Sequence, residues 1–136
     1  MKNKKIIRIV IIALLILIAS IFIIKLYNKP PVNVAKTEAK YHLSSQKLIN
    51  DFITDEDTAN KKYVKQIIQI SGKVLEADNT SITIKDENSE STILCSFASK
   101  IENSQLKKGQ KIVIKGLCTG YLLDVVLIDC VLIPNK

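Results

Sequence analysis

The chain has 136 residues and a formal net charge of +7, with 47% hydrophobic residues, one histidine and three cysteines. This length suits one small domain and an appendage. A zinc finger needs about four Cys or His ligands at close spacing, and a disulfide-rich scaffold needs more cysteine, so the composition excludes both. The clustered His, Cys or carboxylate residues typical of small enzymes are also lacking. We therefore predict that the protein is not an enzyme and needs no metal and no cofactor.

The positive charge is concentrated in the N-terminal part of the chain. Residues 1–40 carry eight Lys or Arg and one Glu, whereas residues 41–136 carry 12 basic and 12 acidic residues. A basic protein is often a nucleic-acid-binding protein, but here the part that folds into a domain is neutral. The charge distribution indicates a membrane topology signal instead.

Residues 9–24 form an apolar run without a charged residue. Extended back to Ile6, the segment would be about 28 Å long as a helix, close to the thickness of the hydrocarbon core. We predict a transmembrane helix that contacts the lipid bilayer through residues 6–24. Four basic residues precede it, so the positive-inside rule places the N-terminus in the cytoplasm. The rest of this single-pass membrane protein would then be extracytoplasmic, in the periplasm or at the cell surface.

The favoured interpretation of this transmembrane helix is an uncleaved signal-anchor, a cleaved signal peptide is the alternative, and a buried core helix is the least favoured. Ala19 and Ser20 are small residues of the kind found at cleavage sites. Four more apolar residues follow them, which favours the signal-anchor. The predicted organisation is a basic tip and anchor at 1–27, a linker at 28–40 and a folded domain at 41–136.

The folded domain begins with a helical pattern. Ser44 or Ser45 is a suitable N-cap, and Thr54 is predicted to cap a second short helix that ends at about Tyr63. Acids at 55–57 complement the dipole of that helix and lack the alternating ligand pattern of a calcium loop. The apolar residues at helical spacing are Leu43, Leu48, Ile49, Phe52 and Ile53.

After Val64 the hydrophobic period changes from helical to alternating, which predicts strands. Five strands with a longer connection between the third and fourth are typical of an OB-fold barrel, whereas a β-sandwich needs about seven. Gly72 and Gly116 fall where strands of such a barrel must bend. The fold class is thus mainly β, an OB-fold barrel preceded by one or two short helices. The predicted strands are 68–74, 81–85, 92–97, 111–118 and 125–132, and the predicted inward residues are Ile68, Ile70, Val74, Ile82, Ile84, Ile93, Phe97, Ile112, Ile114, Val126, Ile128 and Leu132.

Three stretches of this sequence resemble the tRNA_anti-like family of small bacterial OB-fold proteins. They are Asp57–Tyr63, Ile70–Val74 and Leu106–Gly120, and the last, with Lys-Gly-Gln followed by Lys-Gly-Leu-Cys-Thr-Gly, is the most specific. The resemblance covers about residues 45–133 and implies the OB fold. It carries no functional residues over. Many members have a lipid-attachment cysteine, where this chain has an apolar anchor.

The three cysteines occupy inward positions of predicted strands. Packing as small apolar side chains is the favoured interpretation. A disulfide between Cys95 and Cys130 is an alternative, because their strands are neighbours in an OB barrel, and a metal site is the least favoured. With three cysteines, at least one thiol stays free.

The usual recognition surface of an OB fold is the outward side of its second and third strands with the adjoining loops. This predicts ligand-binding residues Thr83, Lys85, Leu94 and Tyr121. We predict a membrane-anchored, extracytoplasmic, non-catalytic binding module, whose partner is an unidentified envelope protein or small ligand.

Single-stranded nucleic-acid binding is the alternative, and nucleic acid is disfavoured as a partner. That chemistry requires stacked aromatic rings and a cationic groove, and only one lysine is predicted on this surface. The Ser44-x-x-Lys47 spacing resembles a motif of penicillin-binding proteins, but the companion motifs are missing, so a helix cap is favoured. His42 is predicted to be a solvated side chain.

Overall fold

The computed structural model describes residues 2–27, 32–101 and 106–134, which divide into two units. The first unit contains α1 (Lys2–Tyr27). The segment Asn3–Tyr27 is long and apolar enough to cross a membrane, with a mean hydropathy of 3.2 in its most apolar part. Of the predicted linker, residues 28–31 lie outside the described residues.

The second unit begins at Asn33 and contains the barrel. The elements of this unit are β1 (Tyr41–Ser44), α2 (Ser45–Thr54), α3 (Glu56–Tyr63), β2 (Ile67–Ala77), β3 (Ser81–Lys85), β4 (Thr92–Ser96), β5 (Lys111–Tyr121) and β6 (Val125–Ile133). Five of the strands close on one another in the order β2-β3-β4-β6-β5, since β5 also pairs with β2. The five-stranded barrel predicted from the sequence is thereby confirmed, and it contains both parallel and antiparallel pairs.

Strand β2 organises the barrel because it changes partners along its length. Residues Ile67–Lys73 pair with β5 on one edge. On the other edge, β2 pairs with the parallel strand β1 from Ile68 to Ser71 and with β3 from Lys73 onwards. Gly72 lies at this junction, where an added Cβ would be 2.4 Å from Ile84 Cγ2 and 2.8 Å from Ser45 Oγ. Only glycine permits so close an approach.

The short strand β1 was not predicted, because Leu43 fits the helical spacing of the residues that follow it. The structure places Leu43 in β1, opposite Ile70 of β2. Ser44 is the N-cap of α2, as expected, and accepts a hydrogen bond from Lys47 N at 3.2 Å. The predicted cap of α3 was wrong by one residue, since Asp55 and not Thr54 accepts from Thr58 N.

Helices α2 and α3 add large side chains to the barrel core. Leu48, Ile49 and Phe52 of α2 and Tyr63 of α3 are almost completely buried. This explains the helical spacing seen in the sequence, because one face of each helix packs against the strands. The segment before β1 also packs on this unit: Val34 is buried, and Lys115 Nζ donates to the carbonyl oxygens of residues 35 and 37.

Most predicted inward residues are buried, but the prediction for the first half of β6 was wrong. Val125 and Leu127 face the core, whereas Val126 and Ile128 are only partly buried. Asp129 has φ +51, and the register against β5 shifts nearby, so the alternation changes at this bulge. Cys130 is therefore buried, three residues after Leu127. Phe97 lies just beyond β4 and packs against the core while partly exposed.

Candidate ligand-binding face

The outward surface of β3 and β4 brings together two of the predicted ligand-binding residues. Thr83 of β3 lies opposite Leu94 of β4, Glu76 of β2 flanks Thr83, and Val126 of β6 flanks Leu94. Opposite residues on adjacent strands point to the same side of a sheet, with Cβ atoms about 4.5–5.5 Å apart. Leu94 is 37% exposed. We call this row of four residues, Glu76, Thr83, Leu94 and Val126, the β3–β4 face.

A second row beside it is cationic. Lys73 of β2 lies opposite Lys85 of β3 on one edge and opposite Lys111 of β5 on the other. All three side chains are exposed. Like charges directly opposite one another destabilise a sheet, so this arrangement works against the stability of the fold. We call Lys73, Lys85 and Lys111 the lysine row.

Two grooves border the lysine row. One has a volume of about 260 Å³ and has Gly72 and the ends of β1 and β3 in its lining, with Ser45 94% buried beside it. The other, of about 380 Å³, is lined by Lys73 and Lys85 together with Lys108 of the loop before β5. Backbone hydrogen bonds from Gly109 N to Val74 O and from Val74 N to Gln110 O hold that loop against β2.

Lys73 of the lysine row pairs with an acidic side chain. Glu87, in the loop after β3, accepts a hydrogen bond from Lys73 Nζ. This hydrogen bond raises the pKa of Lys73 and lowers the pKa of Glu87. Both side chains are more than half exposed, and such exposed pairs contribute little to stability. The pair can therefore open readily in favour of another anion.

Tyr121, the fourth predicted ligand-binding residue, takes part in packing. Its ring stacks on Phe52 with centroids 5.7 Å apart and planes inclined by 20°. Its hydroxyl group is 3.2 Å from Ser91 Oγ. The aromatic ring thus joins α2 to the end of β5, apart from the β3–β4 face.

The three cysteines are buried and free. Cys95 and Cys130, the pair named as the alternative disulfide, lie side by side. The hydrogen bond with Cys130 together with burial raises the pKa of the Cys95 thiol. Burial raises the pKa of the Cys118 thiol to about 11. Cys95 and Cys118 therefore stay protonated at neutral pH, which suits a packing role.

Polar groups on α2 and α3 form a second cluster, centred on Asp51. Its carboxylate accepts hydrogen bonds from Lys47 Nζ and from the hydroxyl group of Tyr63, the latter at 2.6 Å. Burial raises the pKa of Asp51, but these hydrogen bonds outweigh it, so the net shift is downward. Lys47 is thus paired within its own helix, while Ser44 acts as the cap. Ser44 and Lys47 are therefore not arranged as a nucleophile with its general base.

The acids of 55–57 and His42 do not assemble a metal site. Asp55 caps α3 and also accepts from Thr58 Oγ1 at 2.7 Å. His42 is exposed on β1 beside Gln69. Within residues 2–27, 32–101 and 106–134, no three His, Cys, Asp or Glu residues are placed to hold a metal ion.

The family described as tRNA_anti-like matches residues 1–132. This chain belongs to the tRNA_anti-like family. The most specific of the stretches that carried the resemblance, Leu106–Gly120, leads into β5 and covers it up to Gly120. A comparison of this tRNA_anti-like protein with curated proteins gives no match.

Two solved structures are similar to this tRNA_anti-like protein. One is a candidate nucleic acid-binding lipoprotein from Klebsiella pneumoniae, with 14% sequence identity and a TM-score of 0.57, covering 78% of this chain and all of its own. The other is the telomere capping protein Ten1 from Saccharomyces pombe, with 15% identity and a TM-score of 0.45, covering 70% of this chain and 81% of its own. The likeness to the lipoprotein shows a shared fold.

Lys73, Lys108 and Lys111 were not predicted from the sequence as candidate binding residues. Each is an ordinary polar residue of a strand or turn in the sequence. Their proximity depends on the strand register, which no local pattern reveals.

Proposed function

We propose that this tRNA_anti-like protein is a membrane-anchored, non-catalytic binding module with its barrel on the extracytoplasmic side. Helix α1 supports the anchor by its length and hydropathy. The four basic residues before the apolar run support the orientation through the positive-inside rule. The structurally similar Klebsiella protein is itself a lipoprotein, which agrees with a tethered OB domain.

The observation that carries the binding role is the composition of the β3–β4 face and the adjoining lysine row. The face presents a carboxylate, a hydroxyl group and an exposed apolar side chain in one cross-strand row. The lysine row places cations next to it. Such a mixed surface suits recognition of another molecule, whereas the residues of the Ser-x-x-Lys motif are engaged in helix capping and ion pairing.

A photo-crosslinking experiment in the native membrane tests the binding role. A photoreactive amino acid at Leu94 should capture a partner, because Leu94 lies on the β3–β4 face. The same amino acid at Ile53, which is 54% exposed on α2, is the matched control. Equal capture at both positions, or none at Leu94, would contradict the proposed function.

The orientation is tested separately by cysteine labelling of intact cells. The native thiols are buried, so a single exposed Ser99→Cys substitution supplies the reactive group. We expect a membrane-impermeant maleimide to label Ser99→Cys and to spare Lys4→Cys. The reverse pattern would place the barrel in the cytoplasm.

Single-stranded nucleic acid is the second candidate ligand, favoured by the lysine row and by the description of the Klebsiella lipoprotein. Both β3 and β4 are fully described by the structure, and their outward positions contain no aromatic residue. Base stacking, a main source of affinity for single strands, is therefore not supplied there. This favours a ligand recognised by charge.

A further inference from the structure

We infer that the lysine row and its two grooves form a binding site for phosphate groups of a polyanionic ligand. This inference rests on the proposed binding function and adds a ligand class and a location to it. The lysine row comes from strand register, so its three ammonium groups are held on neighbouring strands of a closed barrel. Adjacent strands are about 4.8 Å apart, so three cationic side chains emerge within about 10 Å.

The composition of the grooves fits an anion. Four lysines and two acids, Asp86 and Glu87, occur among the residues that line them. The remaining lining around Gly72 is mainly polar, and its uncharged polar side chains are those of Ser44, Ser45, Gln46 and Ser71. Lysine ammonium and hydroxyl groups are common partners of phosphate oxygens.

Glu87 occupies the place that an anionic group of the ligand would take. Its carboxylate pairs with Lys73 in the middle of the row. Because both side chains are exposed, a multiply charged phosphate can displace this carboxylate at little cost. Removing the Glu87 charge should therefore strengthen ligand binding, whereas removing a lysine charge should weaken it.

The grooves also explain why charge, and not base stacking, would select the ligand. Their lining contains no aromatic residue among the described residues. A nucleic acid would then bind only through its phosphates. Phosphate groups of a soluble polymer and of lipid headgroups share this chemistry.

The test uses the full chain in nanodiscs of zwitterionic phosphatidylcholine, titrated with inorganic polyphosphate. Exposed charge pairs of this kind correspond to about a 1.5- to 5-fold change in affinity. We expect Lys73→Gln and Lys85→Gln each to weaken binding by that factor and Glu87→Gln to strengthen it. Lys61→Gln, an exposed lysine on α3, is the matched control and should have no effect. The same affinity loss in Lys61→Gln as in Lys73→Gln would overturn the inference.

Salt dependence and two further ligands complete the test. Raising the salt concentration from about 50 to 200 mM should weaken binding strongly, since screening shortens the range of exposed charges. Salt-independent binding would contradict the inference.

Adding phosphatidylglycerol to the nanodiscs identifies the source of the phosphate groups. Competition with polyphosphate indicates lipid headgroup phosphates, and no competition indicates a soluble phosphate ligand. Both results support the site.

An oligonucleotide that binds much more tightly than polyphosphate at equal phosphate concentration would show base recognition and overturn the inference. Failure of this proposal is distinguishable from failure of the proposed function. If polyphosphate does not bind but Leu94 still captures a partner, the binding module stands and the phosphate site is wrong.

Discussion

Gly116 provides a test of the packing of the barrel. A Cβ at this position would be 2.6 Å from Cys130 Sγ and 3.1 Å from Leu127 Cβ. Favourable carbon contacts occur at about 3.5–4.0 Å, so Gly116→Ala creates an overlap of about 1 Å with the sulfur atom. Overpacking of this kind costs about 1–3 kcal/mol. The loss of unfolded-state entropy offsets about 0.4–1 kcal/mol of that.

The expected net destabilisation is about 1–2 kcal/mol, which lowers Tm by about 4–16 °C for a domain of this size. Cys130→Ala alone removes one buried sulfur atom and should cost about 0.5–1.5 kcal/mol, as for other single-atom core deletions. In the double variant the new Cβ occupies the space that the sulfur has left. Gly116→Ala should therefore cost less in the Cys130→Ala background than in the wild type.

Urea unfolding of the detergent-solubilised chain, followed by tyrosine fluorescence, measures the free energy of unfolding of the wild type, the two single variants and the double variant. Tyrosine is a suitable probe because the chain has no tryptophan and Tyr63 is fully buried. Cys118→Ala is the matched control, since it deletes a buried thiol that is not among the atoms nearest the new Cβ. Its effect should add to that of Gly116→Ala within about 0.5 kcal/mol. Additive losses for Gly116→Ala and Cys130→Ala would refute the packing described here.

Three further predictions concern titration, reactivity and capping. The pKa of Asp51 is lowered in the folded state, so this carboxylate stabilises the fold above its unfolded pKa near 3.9, and the stabilisation is lost as the pH falls through the folded pKa. The urea midpoints of wild type and Asp51→Asn should therefore differ at pH 7 and converge in acid. A difference that stays constant with pH would contradict this. Cys118, with a pKa of about 11, should react with maleimide at neutral pH only after unfolding, and labelling of the native chain at Cys118 would contradict its burial. Asp55→Ala should lower the free energy of unfolding by about 0.5–2 kcal/mol through loss of the α3 cap, whereas an unchanged urea midpoint would show that the cap contributes nothing.

The closed barrel could be predicted from the sequence because its strands keep a period of two. Ile82 and Ile84 of β3 alternate with polar residues and are buried as expected. Ile112 and Ile114 of β5 keep the same spacing of two and are also buried. The alternation changes in β6 at Asp129, whose positive φ is not evident from the residue type. A bulge reverses the face on which later residues lie. The prediction that Val126 and Ile128 face inward was therefore wrong, whereas Leu132, which follows the bulge, packs against the core as predicted.

The candidate site was less predictable than the fold. Thr83, Lys85 and Leu94 follow from the general position of an OB-fold recognition surface, and the structure places them on adjacent strands. Tyr121 followed from its position near a turn, but its ring packs on Phe52, which lies far away in the sequence. Long-range contacts of this kind depend on how α2 packs against the barrel, and hydrophobic periodicity does not specify the partner of each ring.

The lysine row follows from the way in which a five-stranded barrel closes. Strand β2 must pair with β5 along its first half and with β3 along its second, and Lys73 is the one residue of β2 that is paired with both strands. A residue at this position has direct neighbours on both β3 and β5, whereas Gln69 and Ser71 lie between β5 and the short strand β1. Placing lysine at all three positions concentrates like charge where the barrel brings strands together, against the preference of the sheet. Glu87 pairs with Lys73 through an exposed side chain, which an anionic ligand can replace. The stability of the barrel should therefore rise with polyphosphate concentration.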